Sequence, residues 1–105
     1  MSTLLNQKSN FTALFCGNDP TAMAAIATLS EKGLSVPDDI SVIGYDDNVI
    51  AAYTSPTLST MRVPFDEIAR SATRYLLNRC YQLDLDDMHE FPVQLIERLS
   101  VKNIN

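Results

Sequence analysis

Two apolar runs, each closed by a glycine and a polar pair, constrain this chain more than any other feature. The first is Phe11-Thr12-Ala13-Leu14-Phe15-Cys16, followed by Gly17 and Asn18-Asp19. The second is Ile40-Ser41-Val42-Ile43, where Gly44 is expected to let the backbone turn, followed by Tyr45 and Asp46-Asp47. β-Branched and aromatic residues over such lengths read as buried strands. One amphipathic helical stretch separates them, so the unit is strand, helix, strand, which joins parallel strands by a right-handed crossover. Parallel strands end on the same edge. Asn18 and Asp46 are therefore predicted to converge at the carboxyl edge of a sheet, where open α/β folds bind small molecules.

The intervening helix opens at Asp19-Pro20, with Asp19 assigned as the cap and Pro20 in the first turn, where no bonded N–H is required. It is expected to run to Lys32, to bury Ala22, Met23, Ile26, Ala27 and Leu29, and to end at Gly33 in a left-handed cap. Val36-Pro37-Asp38-Asp39 has turn chemistry. Residues 48–53 suffice for a turn or two of helix before Ser55-Pro56, and residues 58–63 read as a third extended segment. Pro64 then starts the longest helix. Its expected apolar face is Phe65, Ile68, Ala69, Ala72, Tyr75, Leu76 and Cys80, with Asp66 and Arg70 spaced for an i,i+4 pair. Residues 83–90 form an acidic loop, and residues 91–101 a last strand whose alternation slips at Ile96, as at a bulge or a change of packing environment. Residues 1–10 look like the tail of a helix.

Composition removes several function classes. A chain of 105 residues is one domain at most, and its net charge of −5 repels a nucleic-acid backbone on average. No run approaches the ~18 apolar residues of a membrane span, and the start lacks a signal-peptide pattern, so a cytoplasmic protein without membrane contact is expected. Cys16 and Cys80, in an apolar strand and on a helix face, fit buried free thiols. His89 stands alone, which leaves no zinc constellation and no His-activated nucleophile. The cluster Asp84, Asp86, Asp87 lacks the glycine and terminal Glu of a calcium loop, and the three glycines are not spaced for a phosphate loop. Neither metal nor cofactor is expected.

Several motifs also stand in a known order: Asn18-Asp19 before a small-residue helix, Gly33, Val36-Pro37, the run from Ile40 through Gly44-Tyr45-Asp46-Asp47, Pro56 and Leu58-Ser59-Thr60. Over residues 11–102 the chain resembles the effector-binding domain of LacI/GalR-type (lactose/galactose repressor) transcriptional regulators. The resemblance implies an α/β fold similar to periplasmic sugar-binding proteins, with a parallel sheet, crossover helices and two lobes around an effector cleft. It implies a sensor rather than an enzyme, a homodimer, and a sugar or related metabolite as effector. DNA contact would come only through an amino-terminal helix-turn-helix, which, with the first half of both lobes, is expected to be missing from these 105 residues. The helix at residues 65–80 would belong to the second lobe, and surfaces left uncovered by the missing half would drive self-association.

The site residues follow from that resemblance one at a time. Asn18 matches a position whose amide exchanges hydrogen bonds with a sugar hydroxyl or purine-like effector. Asp46 matches the carboxylate acceptor, and an ionised acid accepting two hydroxyl hydrogens holds a polyol strongly. By residue type alone, both are also ordinary turn and capping residues. Asp47 reads as a loop acid, and sequence does not decide which of the pair faces the cleft. Phe65 matches a position against the effector, or else begins the core face of its helix. Met23 and Tyr53 match positions near the dimer interface, or else are packing residues. Two other functions compete. Asp46 and Asp47 could hold Mg²⁺ in a doubly wound enzyme or phospho-acceptor domain, against which counts the lack of a nearby lysine or nucleophile. A periplasmic-type sugar-binding protein is disfavoured by the missing signal and by residues 56–60.

Overall fold

The computed structural model describes residues 10–104; of the helix tail expected at residues 1–10, all but Asn10, which is not helical, lies outside them. The chain divides into two compact units, one formed by Met1–Arg62 with Leu95–Asn105 and the other by Val63–Gln94.

In the first unit the strand-helix-strand reading holds. β1 (Ala13–Phe15) and β2 (Ser41–Asp46) pair in parallel, with Phe15 opposite Ile43, and α1 (Asp19–Glu31) connects them. β2 continues past β1 and pairs in parallel with β3 (Ser59–Arg62), Ile43 lying opposite Ser59 and Asp46 opposite Arg62. A short β4 (Gln94–Ile96) completes the sheet order β1-β2-β3-β4. The connection from β2 to β3 carries one 3-10 turn at Val49–Tyr53, started by Asn48, whose Oδ1 accepts from the Ile50 N–H.

α1 packs through Ala22, Ala25, Ile26 and Leu29. Ala25 replaces the expected Ala27, which is exposed, and Met23 is half-buried at the edge of the stripe. These small side chains let the helix lie against β2, which buries Val42 and Gly44. Leu29, Val42 and Leu58 are fully buried, each worth about 1.5–3 kcal/mol of apolar transfer. Cys16 joins this core, and burial pushes its thiol pKa up. α1 ends as expected, with Lys32 as cap residue and Gly33 at φ +74°.

Of the strand expected at residues 91–101 only Gln94–Ile96 forms, ending where the alternation slips. The chain then threads across the sheet by side-chain hydrogen bonds. Ser100 is buried: its hydroxyl donates to the Val42 carbonyl at 2.6 Å and accepts the Ser59 N–H at 2.8 Å, while its own carbonyl accepts the Val42 N–H. Arg98 N–H donates to Ser59 Oγ at 2.9 Å.

The second unit is α2 (Phe65–Tyr81) and the segment after it. Ser71 is its buried side chain, exchanging hydrogen bonds with both the N–H and the carbonyl of Met88. Asn78 does the same for Leu85. Arg74 donates to the Asp86 carbonyl at 3.2 Å, so the acidic loop is laced to the helix by three polar side chains. The apolar face expected of α2 is largely open: Phe65, Tyr75, Leu76 and Cys80 are exposed, because the loop supplies little apolar cover. Cys80 therefore departs from the buried thiol expected of it. The Asp66–Arg70 pair does not form among the described residues.

Candidate functional site

The carboxyl edge of β1 and β2 is where the chemistry collects. Asn18 and Asp46 each lie three residues beyond the paired positions Phe15 and Ile43, so the two strands deliver them to the same edge. How each is held differs from the sequence reading.

Asn18, not Asp19, caps α1. Its backbone is extended, its carbonyl accepts the Ala22 N–H, and its Oδ1 accepts the Thr21 N–H at 2.8 Å. The side-chain NH₂ has no partner among the described residues, so capping leaves two donors at the strand end. Asp19 is the first residue inside the helix and turns inward, where it is fully buried. Its Oδ1 accepts the Thr60 hydroxyl at 2.5 Å and its Oδ2 accepts the Asn48 N–H at 2.6 Å. A buried carboxylate survives only if so satisfied, and the positive end of α1 adds to this.

Gly44 makes room for that acid. It sits within β2, not at a turn, and its φ is not positive. A Cβ there would overlap Asp19 Oδ1 and lie 3.1 Å from Leu58 Cδ2. The turn is made by the two acids themselves. Asp46 has φ +102° and Asp47 φ +53°, conformations that cost about 1–3 kcal/mol each in residues with a Cβ.

The acids then divide their roles. Asp47 accepts from Arg62 Nε at 2.7 Å and from an Arg98 terminal nitrogen at 2.8 Å, with its side chain 8% exposed. Burial alone would raise the Asp47 pKa, but the hydrogen bonds and charges of Arg98 and Arg62 outweigh it and hold the carboxyl below the usual range. Arg98 also donates to the Leu58 carbonyl at 2.7 Å. The Asp46 carboxylate has neither hydrogen bond nor ion pair among the described residues. Asp47 is therefore structural, and the half-buried Asp46 is the acid left without a protein partner among the described residues. This also counts against a Mg²⁺ site on the pair, since one of its two carboxylates is already neutralised.

Phe65 opens α2 in the other unit and is 56% exposed, so it does not begin a core face within that unit. Met23 lines a shallow groove with Ile26, Ala27 and Thr54, and Tyr53 is 81% exposed beside the exposed Val49. The sequence reading missed Thr60, Arg62 and Arg98. Thr60 is one of two adjacent hydroxyl residues in a short strand with no pattern to mark it, and Arg98 lies 51 residues from Asp47, beyond any local spacing signal.

Comparison with known proteins places the fold in a family. The periplasmic binding protein-like domain profile matches residues 2–101. The HTH-type transcriptional repressor PurR of Photorhabdus laumondii is 45% identical over 102 residues, covering 96% of this chain and 30% of that protein. An Escherichia coli sugar-binding transcriptional regulator of the LacI family, solved with phosphate, superposes with a TM-score of 0.87 at 36% identity, covering 95% of this chain and 36% of that one. The Lac repressor bound to ONPG superposes with a TM-score of 0.84 at 30% identity, over 94% of this chain and 30% of that one. The chain thus spans about a third of the length of these relatives. Among the described residues no helix is long and apolar enough to cross a membrane. The chain belongs to the periplasmic binding protein-like domain family, and its relatives there are LacI-type transcriptional regulators.

Proposed function

We propose that this chain is the carboxyl-terminal part of the effector-sensing and dimerisation region of a cytoplasmic, non-enzymatic LacI-type regulator. Asp46 accepts hydrogen bonds from a small polar effector, a sugar or related metabolite, and Asn18 donates to it. Phe65 is a further effector contact by resemblance to the family, and Met23 and Tyr53 belong to a homodimer surface. DNA binding is the task of a helix-turn-helix outside these 105 residues, in keeping with relatives named as HTH-type repressors. Effector binding would bias the whole protein between two arrangements by its differential affinity for them.

The observation that carries this reading is the contrast within the acidic pair. Asp47 is neutralised by two guanidiniums, whereas Asp46 is held in a strained backbone with an unpartnered carboxylate at the edge where such folds bind ligands. The test is isothermal titration of the natural full-length protein with D-ribose, D-galactose and free purine bases. Asp46→Asn removes a charge-assisted hydrogen bond worth about 1.5–3 kcal/mol, so affinity for the bound probe should fall about tenfold to hundredfold. Unchanged affinity would sink the assignment.

A further inference from the structure

We propose that Asp19, a buried acid that reaches no ligand itself, is the positioning residue for Asp46. The two amides that follow Asp46 both end on its network. Asn48 N–H donates directly to Asp19 Oδ2 at 2.6 Å. Asp47 N–H donates to Thr60 Oγ1 at 3.3 Å, and that hydroxyl donates onward to Asp19 Oδ1 at 2.5 Å. Both residues of the turn, Asp46 and Asp47, have positive φ, and the carboxylate of Asp46 contributes nothing to holding it there. The conformation is held from beneath, by a carboxyl group whose two oxygens take one donor each, whereas an amide there would set its NH₂ against one of those donors.

Three further features make Asp19 more than a satisfied core acid. It follows Asn18, so the same anchoring fixes the first turn of α1 and the other residue at the edge. Thr60 is fully buried on β3, which ties the turn after β2 to the neighbouring strand. Gly44 keeps open the space the carboxylate occupies, so β2 itself is shaped around Asp19. One side chain therefore sets two residues that the chain carries on different elements. The effect on effector affinity rests on reading Asp46 as the effector contact; the positioning itself does not.

The experiment is hydrogen exchange by mass spectrometry on the natural full-length protein carrying Asp19→Asn or Thr60→Val, with titration of the probes named above. Losing a hydrogen bond to a charged acceptor should speed exchange in peptides spanning residues 46–50 by about tenfold or more. Peptides from the middle of α1 and from α2 should change by less than about threefold. Should Asp19→Asn fail to fold, Thr60→Val carries the same test, since it keeps the shape and removes the bridging hydroxyl. Acceleration everywhere together would make Asp19 a general stabiliser and overturn the proposal, as would unaltered exchange at residues 46–50. In titration, Asp19→Asn should weaken probe binding about tenfold with Asp46 intact. Weakening by Asp46→Asn but not by Asp19→Asn would refute the positioning role. No weakening by Asp46→Asn would instead refute the effector reading, and exchange alone would then decide the role of Asp19.

Discussion

Substituting alanine at each of the three glycines separates close approach from backbone conformation. At Gly44 the new Cβ overlaps Asp19 Oδ1 and presses on Leu58 Cδ2 at 3.1 Å. The Asp19 side chain is short and held by two hydrogen bonds, so it cannot swing clear without giving them up. Overpacking typically costs about 1–3 kcal/mol, and a displaced buried acid forfeits charge-assisted bonds of about 1.5–3 kcal/mol. Gly44→Ala should therefore cost about 3–5 kcal/mol, lowering the melting temperature by more than about 12 °C in a unit of this size. Gly33→Ala meets no atom within 4 Å but must adopt φ +74°, a cost of about 1–2 kcal/mol. Gly17→Ala has open space and an ordinary φ, so it should be neutral or gain about 0.4–1 kcal/mol through the unfolded chain. Urea unfolding of the three variants gives the order directly. A double variant adds the cause: Asp19→Ala should rescue part of the Gly44→Ala loss, a coupling of about 2 kcal/mol. Gly44→Ala costing no more than Gly33→Ala, or strict additivity in the double variant, would refute the clearance argument.

Other outcomes are expected from the same geometry. Arg98→Met should destabilise by about 1.5–3 kcal/mol, because its side chain is 18% exposed and its guanidinium is bonded to both Asp47 and the Leu58 carbonyl. Arg62→Met should cost at most about 1 kcal/mol, since Arg62 is 53% exposed; equal costs in urea titrations would contradict the division. The Asp47 carboxyl titrates lower in the folded protein than its unfolded value of about 3.9, so its contribution is complete above that pH and is lost as pH falls through the folded value. Asp39, held low by the Ser35 N–H and hydroxyl, adds loss of the same sign, so unfolding should steepen below about pH 4, with Asp47→Asn flattening the profile. Asn18→Ala removes the α1 cap and should cost about 1 kcal/mol, read as a lower urea midpoint with unchanged slope. The purified 105-residue chain should self-associate in light scattering, given exposed Val49, Ile50 and Tyr53; a monodisperse 11.7 kDa monomer would contradict this.

The parts legible in the sequence were those set by local pattern. The two strands, the crossover helix, the Gly33 cap and the slip at Ile96 all follow from apolar spacing and backbone preference over a few residues. What was not legible depends on distant partners. Asn18 and Asp19 are both good capping residues, and only Thr60 and Asn48, far along the chain, decide that Asp19 turns inward and Asn18 caps. Asp46 and Asp47 are chemically identical, and Arg62 and Arg98 break the tie. Gly44 looked like a turn residue because acids follow it, yet its neighbour in space is a side chain from another element. The open face of α2 is the opposite case: its helical period was correctly read, but periodicity reports an apolar face and not whether anything covers it.

The central claim is that Asp46, and not Asp47, meets the effector. A crystal structure of the natural full-length protein with the tightest-binding of the probe sugars or purine bases tests it most directly. It should find a ligand hydroxyl or N–H about 2.5–2.9 Å from an Asp46 carboxylate oxygen, with Asp47 still held by Arg62 and Arg98. A ligand bonded to Asp47, or seated away from the carboxyl ends of β1 and β2, would contradict the account.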